Sequence, residues 1–74
     1  MSAYAQLTAA QAKRDEANRL EREALEQSVR AAQLPDHSSI RMALFAAADD
    51  LWQRAGVCRE MALELQNAAY GAMR

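Results

Sequence analysis

The sequence has few of the residues that cross-link small domains through disulfides or metals. It contains one cysteine, Cys58, and one histidine, His37, among 74 residues. One cysteine excludes an internal disulfide, and this pair is far short of a zinc-ligand set. A chain this short buries only about 60% of the surface that its unfolded form exposes, so its core alone gives marginal stability. We therefore expect no metal and no cofactor, and stabilisation by close helix packing or by a partner.

An excess of charge of one sign is absent, and so is any long hydrophobic run. The net charge is −1 and the isoelectric point is about 5.7, which gives no overall attraction to nucleic acid or anionic membranes. No apolar run approaches the length of a membrane-spanning helix, and residues 1–14 lack the basic leader and apolar core of a secretory signal. A single unpaired cysteine fits a reducing compartment. We expect a cytoplasmic protein without a membrane partner.

Helix-breaking and β-branched residues are also scarce, which predicts an all-α chain. The sequence has one proline, two glycines and four β-branched residues, while strong helix formers dominate elsewhere. Pro35 disfavours helix at the preceding residue, so a first helix should end there. Three residues near it are candidate N-caps for a second helix: Asp36, Ser38 and Ser39. The predicted organisation is one domain, residues 1–74, with helices over about 3–33 and 37–71 and a turn over 34–38.

Alanines recur at a strict spacing of seven in both predicted helices. The first series is Ala3, Ala10, Ala17, Ala24 and Ala31, and the second is Ala48, Ala55, Ala62 and Ala69. A leucine-type series alternates with the second: Leu44, Leu51, Cys58, Leu65 and Ala72. The corresponding series of the first helix is more polar: Gln6, Lys13, Leu20, Gln27 and Leu34. Such alternation of four and three residues is typical of a coiled-coil seam, and small side chains let helix axes approach closely.

These patterns predict an antiparallel two-helix hairpin joined by a short turn. The second helix also carries a stripe of large apolar residues beside its seam, spaced by 7, 11 and 7. The stripe consists of Phe45, Trp52, Leu63 and Tyr70. One neighbouring helix cannot cover both this stripe and the seam, so a further helix is expected to cover it.

The covering helix can come from a second copy of the chain, which gives a homodimeric four-helix bundle, or from another helical protein. Either case predicts a non-enzymatic protein–protein interaction module, such as a small adaptor, co-chaperone or assembly factor. No catalytic arrangement is present: His37 lies in the turn, and Cys58 lies in the seam as a small apolar residue. We therefore do not expect an enzyme.

A polar and basic stripe on the first helix predicts an alternative function. It consists of Gln11, Arg14, Asn18 and Arg22, spaced by 3, 4 and 4. In a symmetric dimer two such stripes can contact RNA phosphates and base edges. A solvated helix face explains the same spacing, and Glu21 dilutes its positive charge, so nucleic acid is the less favoured partner.

The hairpin and the segment "ALFAAADDLWQRAGVC" of residues 43–58 together resemble the Rop family of plasmid RNA-binding regulators. This resemblance implies a homodimeric four-helix bundle that binds RNA through its first helices. The chain departs from the family in lacking an aromatic residue in the middle of the first helix and in being less basic there. Small helical-hairpin co-chaperones of type III secretion systems are similar in size and layout.

Overall fold

The computed structural model describes residues 2–74 and contains two α-helices, α1 from Ala3 to Ala32 and α2 from Ser39 to Ala72. The helices pack along each other, and these residues form no strand. Cross-helix bonds join Arg14 to Gln66 and Glu21 to Arg59, so the helices run antiparallel. The prediction of an all-α helical hairpin is thus confirmed. The first helix begins at the predicted residue, and the other three ends differ from those predicted by one or two residues.

Serine side chains cap the start of both helices. Ser2 Oγ accepts a hydrogen bond of 3.1 Å from the backbone N–H of Ala5. Ser38, one of three predicted candidates, caps α2 by accepting a bond of 3.4 Å from the N–H of Arg41. Such caps satisfy backbone donors that have no partner inside the helix.

Arg41 closes the turn between the helices. Its Nη1 donates to the carbonyl of Leu34 at 3.1 Å and to Oδ1 of Asp36 at 2.6 Å. Asp36 therefore holds Arg41 instead of capping α2. The backbone of His37 has a φ of 68°, in the left-handed region that costs L-residues other than glycine on the order of 1–2 kcal/mol. The turn consequently stores strain at His37 while Arg41 fixes its shape.

The helices meet along the predicted sevenfold series, two on each helix. Ten residues are buried, and all of them belong to these series: Ala10, Ala17, Leu20, Ala24, Ala31, Ala48, Ala55, Cys58, Ala62 and Ala69. Near mid-length, Ala17 and Leu20 pack with Ala55 and Cys58, and Leu51 lies against this group. Eight of the ten are alanines, so the axes approach closely and the Cα trace measures 56 × 13 × 13 Å.

Neither helix contains a segment that is both long enough and apolar enough to cross a membrane, within the part of the chain that the structure describes.

Candidate interaction surface

The large apolar side chains of this protein lie mostly on its outside. Leu20 is the single large aliphatic or aromatic residue among the buried positions of residues 2–74, whereas twelve such residues are exposed. The chain exposes 5257 Å² in total. A compact monomer of 8.2 kDa exposes about 4,500 Å² by the usual scaling of surface with mass. The excess of about 700 Å² is close to the ~800 Å² that each partner buries in a standard interface.

The four predicted interface residues all belong to this exposed set. The exposed fraction is 37% for Phe45, 45% for Trp52, 57% for Leu63 and 49% for Tyr70. We call the side of the hairpin that carries them the aromatic face. Phe45 is the least exposed because the guanidinium of Arg41 lies over its ring, 5.4 Å from the centroid.

Trp52 lies beside an open groove between the helices, with a volume of about 400 Å³. Besides Trp52, the groove is lined by Asn18, Glu21, Arg22 and Leu25. Leu25 is 59% exposed, so an indole and an isobutyl group flank the same depression.

A second open groove, of about 230 Å³, lies toward the open end of the hairpin. Its lining combines Leu63 and Ala62 with the polar side chains of Arg14, Arg59 and Gln66. Arg14 Nη1 donates to Oε1 of Gln66 at 3.0 Å, which ties α1 to α2 across this groove.

Between the two grooves stands a bidentate ion pair, which we call the central ion pair. Arg59 donates from Nε to Oε1 of Glu21 at 2.9 Å and from Nη2 to Oε2 at 2.7 Å. Nη2 also donates to Oδ1 of Asn18 at 2.9 Å. These hydrogen bonds lower the pKa of Glu21 and raise the pKa of Arg59 from their ordinary values. The hydrogen bonds thus favour the charged form of both side chains.

The polar stripe predicted on α1 lies on this same aromatic face. Gln11 donates to Asp15 at 2.9 Å and accepts from Arg14 at 3.1 Å. Asn18 accepts from Arg59, and Arg22 is exposed at the rim of the Trp52 groove. Three of the four stripe residues are therefore engaged within the hairpin. The polar stripe of α1 and the aromatic stripe of α2, which the sequence suggested as alternative binding surfaces, therefore lie side by side on one face of the hairpin.

Leu25 and Arg59 also belong to this face, and Glu21 pairs with Arg59, although these roles were not predicted from the sequence. A signal for the ion pair was present, because Glu21 and Arg59 each directly follow a buried seam residue, Leu20 or Cys58. In an antiparallel helix pair, residues that directly follow the corresponding seam series of the two helices lie on the same side of the contact. Arg14 and Gln66 occupy two such positions and are hydrogen-bonded to each other.

The opposite flank carries a further open groove of about 290 Å³, which the sequence analysis did not identify. Val57 and Met61 are its exposed apolar residues, 55% and 40% accessible. Lys13, Glu16 and Arg54 also line it, and it contains no aromatic residue. This flank therefore lacks the aromatic anchors of the aromatic face.

His37 and Cys58, the two residues considered for catalytic or metal chemistry, lie in different parts of the hairpin. His37 is exposed in the turn, whereas Cys58 is buried in the seam with 7% of its surface accessible. Within residues 2–74, no group of three or more His, Cys, Asp or Glu side chains is placed to hold a metal ion.

Comparison with known proteins gives no match to a family model, a curated protein or a solved structure.

Proposed function

We propose that this protein is a non-enzymatic protein–protein interaction module that works by burying its aromatic face against a second copy of itself. Two hairpins then form a homodimeric four-helix bundle that serves as a small adaptor, co-chaperone or assembly factor. We place this activity in the cytoplasm, since the unpaired thiol of Cys58 fits a reducing compartment.

The observation that carries the proposal is the inverted distribution of apolar side chains. The fully buried contact between α1 and α2 consists mainly of alanine methyl groups, and five leucines are partly buried beside it, while all four aromatic rings remain at 37% exposure or more. Fully burying a large apolar side chain stabilises by about 1.5–3 kcal/mol, so covering this face supplies stabilisation that the alanine seam lacks.

The composition of the face also suits a protein interface. Trp52 and Tyr70 combine large apolar bodies with a polar tip, and such residues are enriched where interfaces bind most strongly. Arg59 and Glu21 provide fixed charges in the middle of the face. A face that combines aromatic anchors with a central ion pair is therefore suited to a specific partner more than to indiscriminate adhesion.

RNA binding through Gln11, Arg14, Asn18 and Arg22 remains the alternative prediction. It has less support than self-association, because three of these side chains are occupied by bonds within the chain. Asp15 and Glu21 also bring negative charge to the same surface. Salt-sensitive retention on RNA that is lost in the double variant Arg14→Ala, Arg22→Ala would favour this alternative.

The test compares two variants that introduce the same charge on opposite flanks. Trp52→Glu removes a ring from the aromatic face, whereas Val57→Glu changes a residue of similar exposure on the other flank. Trp52 is 45% exposed, so covering the rest of each indole is worth about 1–1.5 kcal/mol, and the loss of two indoles per dimer should raise the dimer Kd about a hundredfold. The Val57 variant should leave the Kd within a few-fold of the unmodified chain.

Light scattering and sedimentation over a range of protein concentrations measure the Kd. The proposal is contradicted if the unmodified chain stays monomeric at millimolar concentration with a concentration-independent melting temperature. Equal effects of the two variants would contradict the assignment to the aromatic face.

A further inference from the structure

We propose that the two hairpins of the dimer pair about a two-fold axis parallel to their long axes, so that both turns lie at the same end. In this arrangement Arg59 of each copy lies opposite Glu21 of the other. The inference rests on the proposed self-association and specifies its geometry.

The central ion pair occupies a special place along the hairpin. Glu21 and Arg59 each lie within four residues of the middle of their own helix, which is about 5 Å at 1.5 Å per residue. A dimer that overlaps the two aromatic faces fully therefore places the two central ion pairs at the same level when the copies run in the same direction, and about 10 Å apart along the bundle when one copy is reversed.

Two symmetric arrangements keep all neighbouring helices antiparallel, and they differ in how these charges meet. With the two-fold axis along the hairpins, α1 of one copy covers α2 of the other, and charges of opposite sign alternate around the centre. With the axis across the hairpins, α1 covers α1 and α2 covers α2, so full overlap places Arg59 opposite Trp52 of the other copy, and the two Arg59 residues lie about 10 Å apart. Only the first arrangement places an opposite charge directly across from each member of the central ion pair, so the ion pair favours that arrangement.

The donors of Arg59 are not all used within one chain. Nε and Nη2 bond to Glu21 and Asn18, and Nη1 has no acceptor among residues 2–74. A guanidinium carries five N–H groups, so Nη1 is available to a carboxylate of the second copy. In the first arrangement that carboxylate is Glu21.

Apolar contacts are compatible with both arrangements and therefore do not select between them. With the turns together, the Trp52 groove of one copy meets the same groove of the other, and each indole lies on Leu25 of the second copy. With the turns apart, Trp52 lies opposite Arg59 of the second copy, and Phe45 meets the end that carries Leu63 and Tyr70. The charges decide the orientation, whereas the apolar side chains supply the affinity.

Distances between spin labels test the orientation directly. Ser39→Cys labels the turn end and Gly71→Cys labels the open end, each in a Cys58→Ala background. Both positions are exposed, and a Cβ at Gly71 meets nothing within 4 Å. Turns at the same end keep like labels within about 35 Å, two or three interaxial distances plus the label arms. Turns at opposite ends separate them by about 50 Å along the 34-residue α2.

We expect a short distance in both labelled samples, as measured by double electron–electron resonance. Long distances in both samples would overturn this orientation and leave the proposed self-association intact. A monomer at every concentration would overturn the proposed function itself, so the two failures are distinguishable.

Mixing two charge variants tests the contact between copies. Arg59→Glu makes the centre of the face wholly negative and Glu21→Arg makes it wholly positive, so each variant alone should dimerise at least tenfold more weakly. A one-to-one mixture should recover heterodimers with a Kd near that of the unmodified chain. If the ion pair acts only within one chain, the mixture will associate no better than its components, which would contradict the proposal.

Discussion

Replacing a seam alanine by leucine should destabilise this protein, although added apolar bulk at a helix seam often has the opposite effect. Ala17 has none of its surface exposed and packs in the mid-length group with Ala55 and Cys58. The variant Ala17→Leu adds three carbon atoms where the helices touch. Either the helices separate or the new side chain adopts a strained rotamer.

The two opposing effects can be compared in magnitude. Overpacking a close-packed site costs typically 1–3 kcal/mol. Burying the extra carbons without strain would instead stabilise by about 2 kcal/mol, at ~0.8 kcal/mol per carbon. The site is closed on all sides, so we expect the cost to dominate and the free energy of unfolding to fall by 1–3 kcal/mol. In a domain of this size each kcal/mol corresponds to about 4–8 °C in Tm.

Urea and thermal unfolding followed by circular dichroism at one protein concentration measure this change, with light scattering to verify the oligomeric state. Ala12→Leu is the matched control, because Ala12 is exposed on the same helix. Its effect should stay within about 0.5 kcal/mol. If Ala17→Leu raises the Tm, the alanine register does not set a close approach of the helices and our account of the seam is refuted.

Two further predictions concern the turn and the central ion pair. His37→Gly should raise the free energy of unfolding by about 0.5–1 kcal/mol, because glycine adopts a φ of 68° without strain; no gain in urea unfolding would show that the turn is relaxed. The lowered pKa of Glu21 means that its contribution to stability is complete above the unfolded-state pKa and is lost as the pH falls through the folded-state pKa. Glu21→Gln should therefore lose less stability than the unmodified chain as the pH falls below the ordinary pKa of glutamate, and parallel acid-unfolding curves for the two proteins would contradict this.

The helices and their contact could be predicted because each depends on a repeated local signal. Sevenfold spacing of alanine fixes which side of each helix is buried, and a single proline marks the turn. All ten buried residues come from the predicted series. These local preferences act along the whole length of both helices, and together they favour the helical hairpin over other folds.

The details of the turn could not be predicted from local preferences. Asp36, Ser38 and Ser39 are almost equally good caps, and the choice depends on Arg41 reaching back to the Leu34 carbonyl and Asp36. The left-handed backbone of His37 is likewise imposed by closure of the hairpin, because histidine itself does not require it.

The side-chain bonds between the two helices depend on how far one helix is shifted along the other. Residue spacings within each helix do not determine that shift. Arg59 meets Glu21 and Asn18 only after the antiparallel contact places residues of sequence separation 38 and 41 side by side. For this reason the polar stripe and the aromatic stripe were predicted as separate surfaces, although the structure joins them.

The short turn also determines which chain completes the seam. An opened hairpin can form the same alanine contacts with a second opened chain, as in domain-swapped dimers, so the contacts themselves do not enforce a closed monomer. Straightening the chain into one continuous rod would place Pro35 inside a helix at a cost of about 3 kcal/mol or more and would release the bonds of Arg41. Pro35 and Arg41 thus disfavour the exchange of helices between molecules, and substitution of both residues by alanine would make domain-swapped dimers accessible.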